Sequence, residues 1–266
     1  MKLGIIGHWS EEGIRYVRSK NLSAVEFCYN VGLDVSELAA QVDDIKGWLA
    51  KYDVSVASIG RWGSFRLKED GTVDEAVLAD DLALIDVCAA LGCPVFVTGC
   101  NRVEALSYED NCAAAIGYFE RLLAHGEACG VKIATYNCHW NNFVLDRTAW
   151  EAIHGKLPAL GIKYDPSHAL YRGEPDYLGE IYSWGHRFYH FHLKGTLDIG
   201  GFPRRVDDPP VGLDQINWGA VMATLYLVKY DGVLSLEPHS TTWQDALGEW
   251  GINYSINYIR PMIFEG

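Results

Sequence analysis

GIKYDPSHAL, residues Gly161–Leu170, starts as an apolar strand and then sets Asp165 and His168 where that strand should stop. Pro166 lies between them. Asp-Pro-Ser is ordinary turn chemistry, and an aspartate there can cap a following helix. The neighbouring segments decide whether the pair does more. Similar apolar runs fall at 3–8, 23–27, 54–60, 93–99, 131–137, 187–194 and 232–239. Between them lie longer amphipathic stretches that predict helices over 10–20, 34–52, 72–91, 108–130, 147–157, 177–185, 214–230 and 252–262. Strands alternating with helices imply parallel pairing through right-handed crossovers. Eight such units in 266 residues fit a (β/α)8 TIM barrel, one α/β domain spanning 1–266. An open dinucleotide-binding sheet would show GxGxxG after an early strand, and none is present. The longest irregular stretch, 195–210, has the length of a functional loop.

The chain is 49% hydrophobic and 12% aromatic, enough for a large core and unlike a disordered chain. Its net charge of −13, with no Lys/Arg run, argues against nucleic acid and anionic membranes as partners. No stretch approaches the roughly 20 apolar residues of a membrane helix, and MKLGIIGHWS lacks a signal-peptide core. The seven cysteines are odd in number and form no CxxC pair, which predicts free thiols in the cytoplasm.

In a TIM barrel the strand C-termini build the site. There the chain places His8, Glu26, Arg61-Trp62, Tyr136-Asn137-Cys138-His139-Trp140, Asp165 with His168, His190, His192 with Lys194, and Glu237-Pro238-His239. Nothing comparable clusters at the strand beginnings. Asp165, His192 and Glu237 come from three successive strands, so their side chains can converge. Two carboxylates and an imidazole suit a divalent ion: Mn²⁺, Mg²⁺, Co²⁺ or Zn²⁺. Taken singly, Asp165 could be a cap and His192 a core histidine, but Glu237 follows VLSL and a buried carboxylate needs a partner.

These residues resemble the sugar-phosphate isomerase/epimerase group of xylose-isomerase-like barrels, over nearly the whole chain. That group ends its sixth strand in Asp-x-x-His, matched by Asp165-Pro166-Ser167-His168. Its seventh ends in His-x-Lys, matched by His192-Leu193-Lys194, and its eighth in a ligand glutamate, matched by Glu237. The fourth ligand is usually a glutamate on strand five, where this chain has Tyr136 with Asn137 beside it. The resemblance therefore implies metal ligands Asp165, His192 and Glu237, with Asn137 as a neutral fourth; His139 or water are alternatives.

The chemistry implied is proton removal next to a carbonyl, giving an enediolate that a divalent ion stabilises. Glu237 is the expected base, and His168, Lys194 and Tyr136 are the candidate proton donors; a lysine beside a dication would have its pKa pushed down. Trp62, His139, Trp140 and His239 are the expected sugar contacts. Arg205, beside Arg204, would hold an anionic group, unless the pair only balances Asp207-Asp208. The first expectation is thus a metal-dependent sugar isomerase or epimerase. A lyase or dehydratase on a keto-sugar, keto-glycoside or inosose is the alternative, since elimination needs no second base. A non-catalytic sugar-binding barrel is a further one. A DNA endonuclease would need a richer His/Glu cluster and a basic surface. Barrels of this group often form dimers or tetramers, so a homo-oligomer is compatible with the chain.

Overall fold

A computed structural model of the chain describes residues 1–173 and 176–264. Eight parallel strands close into a barrel: β1 (Lys2–Gly7), β2 (Ala24–Cys28), β3 (Ser55–Gly60), β4 (Val95–Thr98), β5 (Lys132–Tyr136), β6 (Gly161–Tyr164), β7 (Phe188–Leu193) and β10 (Val233–Leu236). Each pairs with its sequence neighbour, and β10 closes the ring between β7 and β1. The TIM-barrel expectation is met. Alternation along each strand divides the core. Phe96, Ile133 and Phe191 face the helices in the main apolar cluster, whereas Val95, Val97, Ala134 and Tyr136 join Trp62 in a smaller one.

The helices are α1 (Glu11–Ser19), α2 (Val35–Ala40), α3 (Val42–Tyr52), α4 (Glu75–Leu91), α5 (Tyr108–Cys129), α6 (Arg147–Ala149), α7 (Ser167–Tyr171), α8 (Tyr177–Trp184), α9 (Trp218–Leu227) and α10 (Asp245–Ile259). Their starts follow side-chain caps: Ser10, Asp34, Asp74, Ser107 and Asn217 each accept a hydrogen bond from a first-turn N–H. These caps move two expected boundaries, since α4 begins after Asp74 and α9 after Asn217. The helix expected over 34–52 breaks at Gln41 into α2 and α3. The last helix starts earlier than expected, at Asp245. The long 195–210 segment is not irregular throughout; it carries an antiparallel hairpin, β8 (Leu197–Gly200) and β9 (Arg205–Asp207). Among the described residues no helix is long and apolar enough to cross a membrane, and all seven cysteines are unpaired.

The segment expected as a helix over 147–157 is α6 running into a π-helical turn, Trp150–His154. His154 is buried, its Nε2 lying 3.1 Å from both Thr135 Oγ1 and Gly161 O. Burial pushes this imidazole down to about 3. The unfolded chain takes up that proton near pH 6.5 and the folded chain only near 3, so stability is lost as pH falls between them. The loss amounts to at most about 1.4 kcal/mol per pH unit. His154→Gln should therefore show a shallower fall in urea midpoint from pH 7 to 4 than the wild type. Parallel curves would remove His154 from the acid response.

Candidate active site

The polar residues of the strand ends meet at one mouth of the barrel, around a cavity of about 750 Å³. That is within the ~300–1,000 Å³ common for small-molecule sites. Its wall includes Trp62, His168, His192, Lys194 and Glu237. Asp165, at the end of β6, divides its two oxygens. Oδ1 accepts the Ser167 N–H at 2.9 Å, which is the turn-forming role read from Asp-Pro-Ser. Oδ2 is buried and accepts no hydrogen bond; His168 Nε2 lies 3.4 Å and the Lys194 ammonium 3.5 Å from it.

Asp165, a ring nitrogen of His192 and an oxygen of Glu237 offer donor atoms within 4.8 Å of one another. Strand adjacency produces this convergence, because β6, β7 and β10 are successive staves. The donor set fits a divalent ion: an orphaned buried oxygen is costly, and two carboxylates with one imidazole are borderline-hard ligands. Lys194 competes for the same oxygens, lying 3.9 Å from Glu237 Oε2 as well.

Behind these groups stands a buried relay. His192 Nδ1 is 2.7 Å from Glu237 Oε2, and its Nε2 is 2.7 Å from Glu26 Oε2 on β2. His190 Nε2 reaches the same Glu26 oxygen, also at 2.7 Å. Burial alone would raise the Glu26 carboxyl, but the two imidazoles overcome it and hold it well below the usual range. Glu237 behaves likewise: burial opposes ionisation, and Lys194 and His192 outweigh it. Asp165 settles at about 2, with Lys194 and His168 overcoming its desolvation. Lys194 is pushed up rather than down, since Glu237 and Asp165 more than offset its burial. His168 is driven well below its usual value by burial and by Lys194, so it is neutral at ordinary pH.

The remaining expected residues divide. Trp62 lines the cavity and stacks on Tyr136, with ring centroids 5.4 Å apart. His139, Trp140 and His239 stand exposed at the rim, where Gly63, at φ +82°, leaves room for the Trp140 ring. His239 is raised by its hydrogen bond to Asp208. Tyr136 is fully buried beneath Trp62; its hydroxyl donates to Trp140 O at 2.9 Å and is pushed up to about 12 by burial. Asn137 is committed elsewhere: its Nδ2 donates to Asp165 O and its Oδ1 accepts the Asp165 N–H, at 2.9 and 3.0 Å. That oxygen buttresses the Asp165 backbone, so in this arrangement Asn137 is not available as a fourth ligand to an ion. Arg205 is exposed on β9 and is not part of the cavity wall, whereas its neighbour Val206 is. Glu26 and His190 stand among the polar residues expected at the strand ends but without a role, and Lys163 is not among them. The parity signal was available, since residues i−2 share a face with His192 and Asp165.

A family model described as xylose isomerase-like TIM barrel matches residues 14–258, and the chain belongs to that family. Solved structures with the same fold include D-allulose 3-epimerase from Methylomonas sp., at 17% identity and TM-score 0.75, covering 98% of each chain. The 3-keto-D-glucoside 4-epimerase of E. coli is 15% identical with TM-score 0.73, covering 98% of this chain and 99% of that one. The IolI protein, solved with a bound zinc atom, is 15% identical with TM-score 0.75 over the full length of both chains. No match was found among curated proteins.

Proposed function

We propose that the chain is a divalent-metal-dependent isomerase or epimerase of a sugar or sugar derivative, acting by proton abstraction next to a carbonyl through an enediolate. The observation that carries this reading is the orphaned Asp165 Oδ2 facing His192 and Glu237 beside a cavity sized for a small molecule. An ion held by Asp165, His192 and Glu237 would polarise the carbonyl and hydroxyl oxygens and offset the negative charge that develops on them. Glu237, ionised by its neighbours, receives the proton. Lys194, kept charged by two carboxylates, is the proton donor within reach; neutral His168 supplies a hydrogen bond. Trp62 and Trp140 offer flat faces to a sugar ring, and His139 and His239 offer directional partners. The sugar epimerases and the zinc-bound protein among the fold neighbours support the same reading. Unpaired cysteines suit a reducing compartment, and we place the protein in the cytoplasm.

Tyr136, buried where a second glutamate would stand, favours a second reading. With one base, elimination from a keto-sugar, keto-glycoside or inosose needs no further group, which makes a lyase the alternative. Elemental analysis of the purified protein, then deuterium uptake from D₂O into ketoses, keto-glycosides and inososes, tests both. We expect bound divalent metal and exchange at a carbon next to the carbonyl. Product analysis then separates isomer from elimination product. Fully metallated protein that exchanges none of these compounds would overturn the proposal.

A further inference from the structure

Lys163 has no part in the chemistry above, yet it lies in the wall of the same cavity. It is 1% exposed. On β6 it sits two residues before Asp165, on the same inward face, one layer deeper in the barrel. In register it lies between Tyr136 on β5 and His190 on β7. Among the described residues no carboxylate comes within ion-pair distance of its ammonium group, whose described contact is the face of Trp62, 5.6 Å away. A buried cation is costly unless it meets an anion, and a ring face offsets only part of that cost.

The anions nearby are already engaged. Glu26 takes both imidazoles. Glu237 takes His192 and Lys194, and Asp165 Oδ2 is the oxygen left for the ion, with Lys194 at 3.5 Å. Lys163 acts on Asp165 and Glu237 only through space. The unmet charge at the cavity floor is therefore positive, in the layer where Tyr136 stands in place of a carboxylate. We propose that Lys163 is a specificity-determining residue that receives a carboxylate of the substrate, which makes this a site for a sugar acid rather than a neutral sugar. The proposal rests on the sugar-site reading given above. A phosphate ester, carrying close to two charges, would require a second cation or a cluster of N–H donors. Lys194, the other lysine of the wall, is already held by Glu237 and Asp165, and among the described residues no arginine lines the cavity.

Calorimetry of the metallated protein with D-fructuronate, D-fructose and D-fructose 6-phosphate tests this. The uronate should bind at least about tenfold more tightly than the neutral ketose, the low end of what a charge-assisted hydrogen bond contributes. Lys163→Met, checked for folding by circular dichroism, should bring the uronate down to the level of D-fructose while D-fructose binding is unchanged. Equal binding of uronate and ketose by the wild type would overturn the proposal without any variant. So would a preference that survives in Lys163→Met, or tighter binding of the phosphate. Deuterium exchange on a neutral ketose with no preference for the acid would sink the role of Lys163 alone. A preference for the acid with no exchange on any compound would sink the enzymatic reading and leave the anion site.

Discussion

Glu237→Gln is expected to cut deuterium exchange and turnover by about 10²–10⁴-fold, the range a positioned general base supplies, while the barrel stays folded. Glutamine is nearly isosteric, so its side-chain oxygen can keep the place beside His192 Nδ1, which now lies 2.7 Å from Glu237 Oε2. What disappears is the negative charge that takes the proton, helps hold the ion and faces Lys194 at 3.9 Å. Lys194 keeps Asp165 at 3.5 Å, so the lysine is not stranded. Thermal stability should fall, since one partner of a buried ionic cluster is removed, but the far-ultraviolet spectrum should not change. The informative split is between exchange and binding. With the divalent ion in excess, sugar affinity should fall far less than exchange, because the aromatic faces and rim histidines are untouched. Wild-type exchange by Glu237→Gln would take Glu237 out of the mechanism, and with it an ionised carboxylate that lines the cavity and borders the Asp165–His192 pair.

Much of this was legible from the amino-acid sequence, for reasons that can be named. Parallel strands buried on both faces read as continuous apolar runs, and barrel closure forces residues from successive strand ends together. Asp165, His192 and Glu237 therefore converge as expected. Less legible was what a polar side chain does once it arrives. Asn137 has the chemistry of a ligand, but the β5–β6 geometry offers it a matched N–H and C=O on Asp165, and it takes those. Tyr136 has the chemistry of a proton donor, but its hydroxyl turns to Trp140 O. The β8–β9 hairpin was hidden because polar links hold it in place: Arg204 pairs with Asp198, and Gln215 bonds the Asp198 backbone on both sides. Its apolar alternation, Leu197 and Ile199 on β8 and Val206 alone on β9, is too short to advertise it. Lys163 and His190 were in plain view by parity, yet each interrupts an otherwise apolar strand. The significance of Glu26 depends on a partner 164 residues away.

That distant pairing leads to the second large effect. Glu26→Gln should weaken divalent-ion affinity and turnover by roughly 10–100-fold, as the loss of carboxylate support behind a ligating histidine does elsewhere. One Glu26 oxygen lies 2.7 Å from Nε2 of both His190 and His192. Bonding at Nε2 sets the His192 ring so that Nδ1 faces Glu237. A glutamine oxygen can accept from one imidazole well, without the charge that strengthens both bonds. Its NH₂ group would occupy the place of Oε1, which is buried and accepts nothing now. Two imidazoles would then compete for one weaker acceptor, and the His192 ring would lose its fixed orientation. The readout that separates positioning from mere stability is ion affinity, measured by competition with a chromophoric chelator at a temperature where variant and wild type are both folded. Glu26→Asp keeps the charge but shortens the reach, so it should fall between the two. If Glu26→Gln holds the ion as tightly as the wild type, the relay through Glu26 does not position His192, and that histidine must be held by the packing of β7 alone.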